Sequence, residues 1–251
     1  GKVKPEEIEN KIPELYTEFG KVPLKELDGK TSEEYYKDFS TEELLKGLTE
    51  HINEKVTVPD FLCEAITEKR DVAVLTDALN KDNREEFTVY VLNFIKDIKE
   101  YGDGKKFIPL IKGSDTVREL ATEILNEIPD SVAEELIKEY NLADKTVKEC
   151  YAEILSHAKK RDGIFEILID GFKIQKKNTA LYCGYLARYG DERALPYLNE
   201  RIKEKNDYAD FEELRFAIES LGGTVEETPD FSSDKTYEKI KGRKKRRRIH
   251  S

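Results

Sequence analysis

Apolar residues recur at helical spacing from one end of the chain to the other, and no run of alternating apolar and polar positions bounded by hairpin turns breaks the pattern. The expected fold is all-α, with few strands or none. Up to about residue 70 the pattern predicts three or four helices with explicit start signals. Thr31 is followed three residues later by Glu34, and Ser40 by Glu43. This is the capping-box spacing, in which hydroxyl and carboxylate each satisfy a backbone amide at the helix start. Pro59 and Asp60 open a further helix where proline's missing N–H costs nothing, and Phe61, Leu62, Ala65 and Ile66 supply its apolar stripe.

From residue 71 the pattern repeats. Tyr101-Gly102-Asp103 followed by Phe107-Ile108-Pro109-Leu110 returns as Tyr189-Gly190-Asp191 followed by Ala194-Leu195-Pro196-Tyr197-Leu198. The glycine supplies the left-handed conformation that ends one helix, and the aspartate accepts the free amides of the next. The proline, a turn or so into the first helix of the repeat, is expected to bend it around its neighbour. The two Gly-Asp pairs lie 88 residues apart, three steps of about 29. Units can be drawn from near Asp71, Tyr101, Ser131, Gly163 and Asp191, each an apolar helix, a polar break and a second apolar helix. Repeats of this length made of helix pairs predict an α-α superhelix, a solenoid of antiparallel pairs. The expected organisation is a helical region at 1–70 packing on the solenoid, repeats at 71–223, and a polar then basic tail at 224–251. Leu120 and Leu195 are expected in the interfaces between repeats.

Two passages resemble the HEAT-repeat family. Gly190-Asp191-Glu192-Arg193-Ala194-Leu195-Pro196-Tyr197-Leu198 looks like the family's opening helix. Ser114-Asp115-Thr116-Val117-Arg118-Glu119-Leu120-Ala121-Thr122-Glu123-Ile124-Leu125 is similar to its second, with the Asp, Val-Arg and Ala in place. The resemblance covers roughly residues 71 to 223. Around Tyr182 and Tyr185 the chain departs from it, with tyrosines where small residues are usual, and wider helix spacing is expected there. The N-terminal 70 residues resemble the leader of uncharacterised bacterial HEAT-like proteins. The resemblance implies a scaffold that binds another protein on the faces of its second helices, where Arg118, Thr122 and Asn126 are the polar candidates. It also leaves open an enzyme of the kind found among HEAT-like bilin lyases and helical-repeat DNA alkylation glycosylases.

Composition changes this picture in two places. Apolar and charged residues each make up 38% of the chain, against about 45–50% and about 25% in globular proteins generally, which suits long helices that bury only one stripe. The net charge of −10 hides an asymmetry, because residues 239–251 carry eight Lys or Arg and no acid, and removing them leaves −18 for residues 1–238. Within that tail Arg243, Lys244, Lys245, Arg246, Arg247 and Arg248 are candidate anion-binding residues. Three readings stand side by side: a solvated tail, a tether to nucleic acid or another anionic partner, and a strap on the chain's own acidic body. A glycosylase would need a basic, aromatic face, whereas this body is acidic and has no Trp.

No stretch approaches the roughly 20 apolar residues that span a bilayer, and Gly1-Lys2-Val3-Lys4-Pro5 lacks the apolar run of a signal peptide. A cytoplasmic protein without membrane association is expected. Cys63, Cys150 and Cys183 are far apart and odd in number, so they are expected as buried free thiols. Methionine is absent. His51, His157 and His250 are too scattered for a zinc site, and Cys150 and His157 share a helix face without a third ligand. Gly102-Asp103-Gly104-Lys105-Lys106 lacks the spacing of a phosphate loop. Acidic pairs such as Glu134 with Glu135, or Glu212 with Glu213, read as solvated helix faces. No cofactor, metal or catalytic residue is expected.

Overall fold

The computed structural model describes residues 11, 18–174, 178–204 and 206–239. Among them the chain is all-helical, with no strand. After a 3-10 turn at Lys25–Leu27 come α1 (Ser32–Lys37), α2 (Thr41–Glu54), α3 (Asp60–Lys69), α4 (Val72–Leu79), α5 (Glu85–Ile98), a long 3-10 helix (Gly104–Lys112) and α6 (Asp115–Glu127). Then follow α7 (Pro129–Tyr140), α8 (Lys145–Ser156), α9 (Asp162–Ile174), α10 (Thr179–Tyr189), a 3-10 turn (Glu192–Ala194), α11 (Leu195–Arg201) and α12 (Tyr208–Ser220). These starts fall within a few residues of the repeat boundaries expected from the sequence.

Local signals account for many of the boundaries. Thr31 and Ser40 form complete capping boxes with Glu34 and Glu43, each hydroxyl accepting from the glutamate's amide while the carboxylate accepts from the cap's own. Gly102 and Gly190 are left-handed, at φ +56° and +71°. Asp103 and Asp191 then accept from the amides of Lys105 and Arg193. Pro109 departs from expectation. The segment around it is 3-10 rather than α, so no α-helical ladder is broken there, and Pro196 sits in the first turn of α11, where it needs no partner.

The chain packs as two compact units that divide between Ile124 and Leu125, within α6. In the first unit, residues 1–124, α3 packs on α1, α2 and α5, and α2 also meets α4 and α5. Leu48, Leu62, Ile66, Leu75, Val91 and Leu92 fill its core. In the second, residues 125–251, α7 meets α8 and α9, α8 meets α9 and α10, α10 meets α9 and α12, and α11 meets α12. Short connections make consecutive helices antiparallel, so α8, α10 and α12 form one layer and α7, α9 and α11 the other. Arg201 of α11 lies over the Phe172 ring of α9 at 4.9 Å, holding that second layer together.

A ladder of side-chain bonds marks the repeat in both units, joining residues 27 to 32 apart in sequence. In the first unit Lys106 pairs with Asp77 at 2.7 Å and Ser114 donates to Glu85 at 2.6 Å. In the second, Asn126 donates to Glu153, Asn178 to Glu149, Arg188 to Ser156 and Arg193 to Asp162. The chain is thus an all-α helical repeat within each unit.

Three expectations about packing are revised. Leu120 and Leu195 are half-buried, and full burial falls instead on Ala121, Ile124, Leu125, Ala194 and Leu198. Room for Tyr182 comes from Gly171, where a Cβ would stand 2.1 Å from the tyrosine ring. The stretch read as a polar tail is packed through residue 239. Phe231 is buried among Tyr208, Phe211 and Tyr237, and Asp234 accepts from the amides of Tyr208, Thr236 and Tyr237. Arg243, Lys244, Lys245, Arg246, Arg247 and Arg248 lie outside the described residues.

Candidate interaction face

The three polar candidates on α6 have separate fates. Arg118 is consumed locally: its guanidinium donates to the carbonyls of Ile111 and Gly113 at 3.0 and 2.9 Å and to Asp115 at 2.5 Å, closing the turn between the 3-10 helix and α6. Thr122 is only 5% exposed, and its hydroxyl has no hydrogen-bond partner among the described residues. Thr122 is carried inward because the helix is rotated so that Ala121, Ile124 and Leu125 pack into the core, whereas Arg118 stays partly exposed. Asn126 is half-buried and donates to Glu153 at 3.1 Å, while its buried Oδ1 accepts from no described residue.

Glu153 leads onto a face of the second unit. The side of the α8–α10–α12 layer turned away from α7, α9 and α11 carries Glu149, Glu153 and His157 on α8, Leu181, Gly184 and Arg188 on α10, and Glu213 and Phe216 on α12, none of them fully buried. Each set follows the i, i+3/i+4 spacing of a single helix stripe. Leu181 is 40% and Phe216 60% exposed, while a Cβ added at Gly184 would meet nothing within 4 Å. Leu181 on α10 and Phe216 on α12 are thus exposed apolar side chains on a largely polar surface, and α10 has open space at Gly184.

Acceptors crowd this face. Tyr185, buried beneath it, aims its hydroxyl at Glu153 from 3.5 Å, and burial together with that carboxylate pushes its ionisation far above the ordinary tyrosine value. Burial raises the Cys183 thiol to about 12, with Glu213 and Asp210 adding to the effect. Asp210 is raised by burial and then by Asp207 and Glu213, with Arg201 opposing. Arg188 is engaged by Ser156 at 3.0 Å and lies 5.9 Å from the Tyr185 ring centre. The surface offers carboxylates to a cation more readily than it offers cations to an anion.

The other candidate chemistries resolve into structure. Gly104 is buried at the start of the 3-10 helix, so residues 102–106 form a capped turn between helices. Burial raises the Cys63 thiol to about 11, and no disulfide joins the three cysteines. His157 is lowered by desolvation and by Arg188, and His51 bonds the Gly47 carbonyl through Nδ1 at 2.8 Å. Glu134 lies 3.8 Å from Arg161, and Glu212 pairs with Arg215 at 2.6 Å. Among the described residues no group of three or more His, Cys, Asp or Glu is placed to hold a metal ion, and no helix is long and apolar enough to cross a membrane. His250 lies outside them.

Leu181, Gly184 and Phe216 were not singled out in the sequence. Their signal was present as an apolar residue on the stripe that should have been wet, but it could be read only once the buried stripe of each helix was known. Fold and face together define a helical-repeat protein with an amphipathic, acid-rich surface. Compared with known proteins, the chain matches no family model, no curated protein and no solved structure.

Proposed function

We propose that the chain is a non-catalytic, HEAT-like interaction scaffold, working in the cytoplasm, whose α8–α10–α12 face seats a segment of another protein that carries an apolar side chain flanked by cations. The exposure of Phe216 and Leu181 beside the open position at Gly184, among Glu149, Glu153 and Glu213, carries this reading. Large apolar side chains grouped on a polar surface mark interaction sites, and a rigid layer of helices binds without first ordering itself. The absence of a disulfide among Cys63, Cys150 and Cys183 suits a reducing compartment.

Affinity capture from a native lysate, run in parallel with the wild-type chain and the G184R and F216E variants, tests the reading. A partner held by the wild type should be lost from both variants while their circular dichroism is unchanged. Retention by both variants would move the interaction off this face.

A further inference from the structure

In the first unit a cavity of about 360 Å³ combines aromatic rings with negative charge. Tyr35 and Tyr36 of α1 and Phe39 just after it supply the rings, Tyr35 standing at 74° to Tyr36 and 67° to Phe39 with centres 5.4 and 5.0 Å away. None of the three is fully buried. Leu62 of α3 adds an apolar contact, and the remaining lining comes mainly from one stripe of α2, Glu43, Gly47, Glu50 and His51. Glu43 accepts from the Ser40 amide at 2.8 Å, which holds its carboxyl below the ordinary value and keeps it charged. His51 donates Nδ1–H to the Gly47 carbonyl at 2.8 Å, so the neutral ring keeps Nε2 as an acceptor. Lys46 also lines the cavity, but it lies 4.0 Å from Glu50 with both side chains well exposed, too loose a pair to neutralise that carboxylate. Gly47 leaves the space open. It sits in the middle of a 14-residue helix, where glycine is a poor helix former and no turn calls for it. A Cβ there would meet Leu62 at 3.8 Å, an ordinary contact, so packing does not demand glycine either.

We propose that this cavity binds a methylated ammonium group, independently of the α8–α10–α12 face. Charge and wall chemistry select the ligand together. Ring faces attract a cation through their quadrupoles, and Glu43 and Glu50 favour the same sign while repelling an anion. A primary ammonium fits less well. It is strongly hydrated and brings three N–H donors, whereas one of the two carboxylates is already committed to the start of α2. Methylation keeps the charge and exchanges those donors for methyl groups, which pack on Tyr35, Phe39 and Leu62 at a smaller cost in lost hydration. Without a side chain at Gly47 the group can approach the helix backbone itself. The volume falls within the range of small-ligand sites, about 300–1,000 Å³. A free quaternary ammonium compound and a trimethylated lysine on another protein present the same headgroup.

Calorimetric titration of the full-length chain tests this with four probes: choline, its uncharged carbon isostere neohexyl alcohol, a short peptide carrying trimethyllysine, and the same peptide with unmodified lysine. Choline should bind at a single site with a Kd of about 1 mM or tighter, and the alcohol at least about tenfold more weakly. The trimethyllysine peptide should bind at least about tenfold more tightly than its unmodified counterpart. If it also exceeds choline by tenfold or more, the headgroup belongs to another protein; a smaller margin assigns the site to the free compound. G47L fills the cavity with a better helix former, so it should abolish choline binding and erase the difference between the two peptides without lowering the melting temperature. Y35L and E50Q, with circular dichroism confirming the fold, should each weaken choline by about three- to tenfold. The absence of saturable binding by both choline and the trimethyllysine peptide at about 10 mM overturns the proposal. Equal affinity for choline and the alcohol overturns it too, as does equal affinity for the two peptides. Choline binding unchanged by G47L, or by both Y35L and E50Q, places the cation elsewhere and overturns the assignment to this cavity.

Discussion

Asp191 shows how much a single buried carboxylate organises. Only 7% exposed, it accepts from the Arg193 amide at 3.0 Å and from the Arg193 guanidinium at 2.8 and 3.1 Å, and that guanidinium reaches on to Asp162 in the preceding repeat. Asp82 and Arg84 repeat the arrangement in the first unit, where Arg84 also reaches Asn53. The Arg193 bonds hold the Asp191 carboxyl below its ordinary value. Its contribution is therefore full above the unfolded value, about 3.9, and disappears as pH falls through the lower folded value. D191N should cost about 1–2 kcal/mol near neutral pH, and the gap between wild type and variant in urea denaturation should close in strong acid. Asp210 behaves oppositely. Its carboxyl is raised, so its charge is a cost above the folded value that vanishes below the unfolded one. D210N should raise the melting temperature at pH 7, by less than about 1 kcal/mol of stability, and should make no difference below about pH 3.9. At Gly171 the relevant quantity is volume. An alanine Cβ would overlap the fully buried Tyr182 ring, so G171A should destabilise by about 1–3 kcal/mol and lower the denaturation midpoint.

Helix boundaries were legible because they are set by short-range chemistry. Thr31 with Glu34 and Ser40 with Glu43 each state a start within four residues and form as expected, and both Gly-Asp phrases give a left-handed glycine and a capping aspartate, but only Gly190 ends its helix, since α5 has already stopped at Lys99. Helix rotation was less legible. It depends on which stripe a neighbour covers, so Thr122 turned inward and Leu181 and Phe216 outward against a reading based on polarity alone. The packed stretch after Gly223 was hidden for a related reason: a single Phe231 in a polar sequence signals nothing until the Tyr208–Phe211 surface that receives it has formed. Some helix ends carried no signal because they break the usual rule. α2 and α5 end on Lys55 and Lys99 in the left-handed conformation, at φ +56° and +58°, where glycine is the ordinary choice. That conformation costs a side-chain-bearing residue about 1 kcal/mol. K55G, at an exposed position, should therefore stabilise the chain by up to about 1 kcal/mol, read as a higher denaturation midpoint.

For the molecule as a whole, each unit is held by neighbour-on-neighbour interfaces, and an array of that kind is weakest where its last element has only one neighbour. In the second unit Phe231 covers that end, closing the aromatic cluster over the start of α12. F231A should cost about 3 kcal/mol. Hydrogen exchange should show the loss concentrated in α11 and α12, with α7 and α8 little affected. Uniform acceleration across the unit would mean that it unfolds as one block.

The ladder linking residues 27 to 32 apart also governs how such a chain can grow or shrink over generations. One residue inserted within α8 turns everything after it on that helix by about 100°, taking Glu153 away from Asn126 and Tyr185 and misplacing Ser156 beneath Arg188. Duplicating or deleting a whole helix pair leaves every remaining rung matched to its successor. Changes in length are therefore tolerated in whole repeats, and each added pair would widen the exposed layer by one helix without a new fold having to be found.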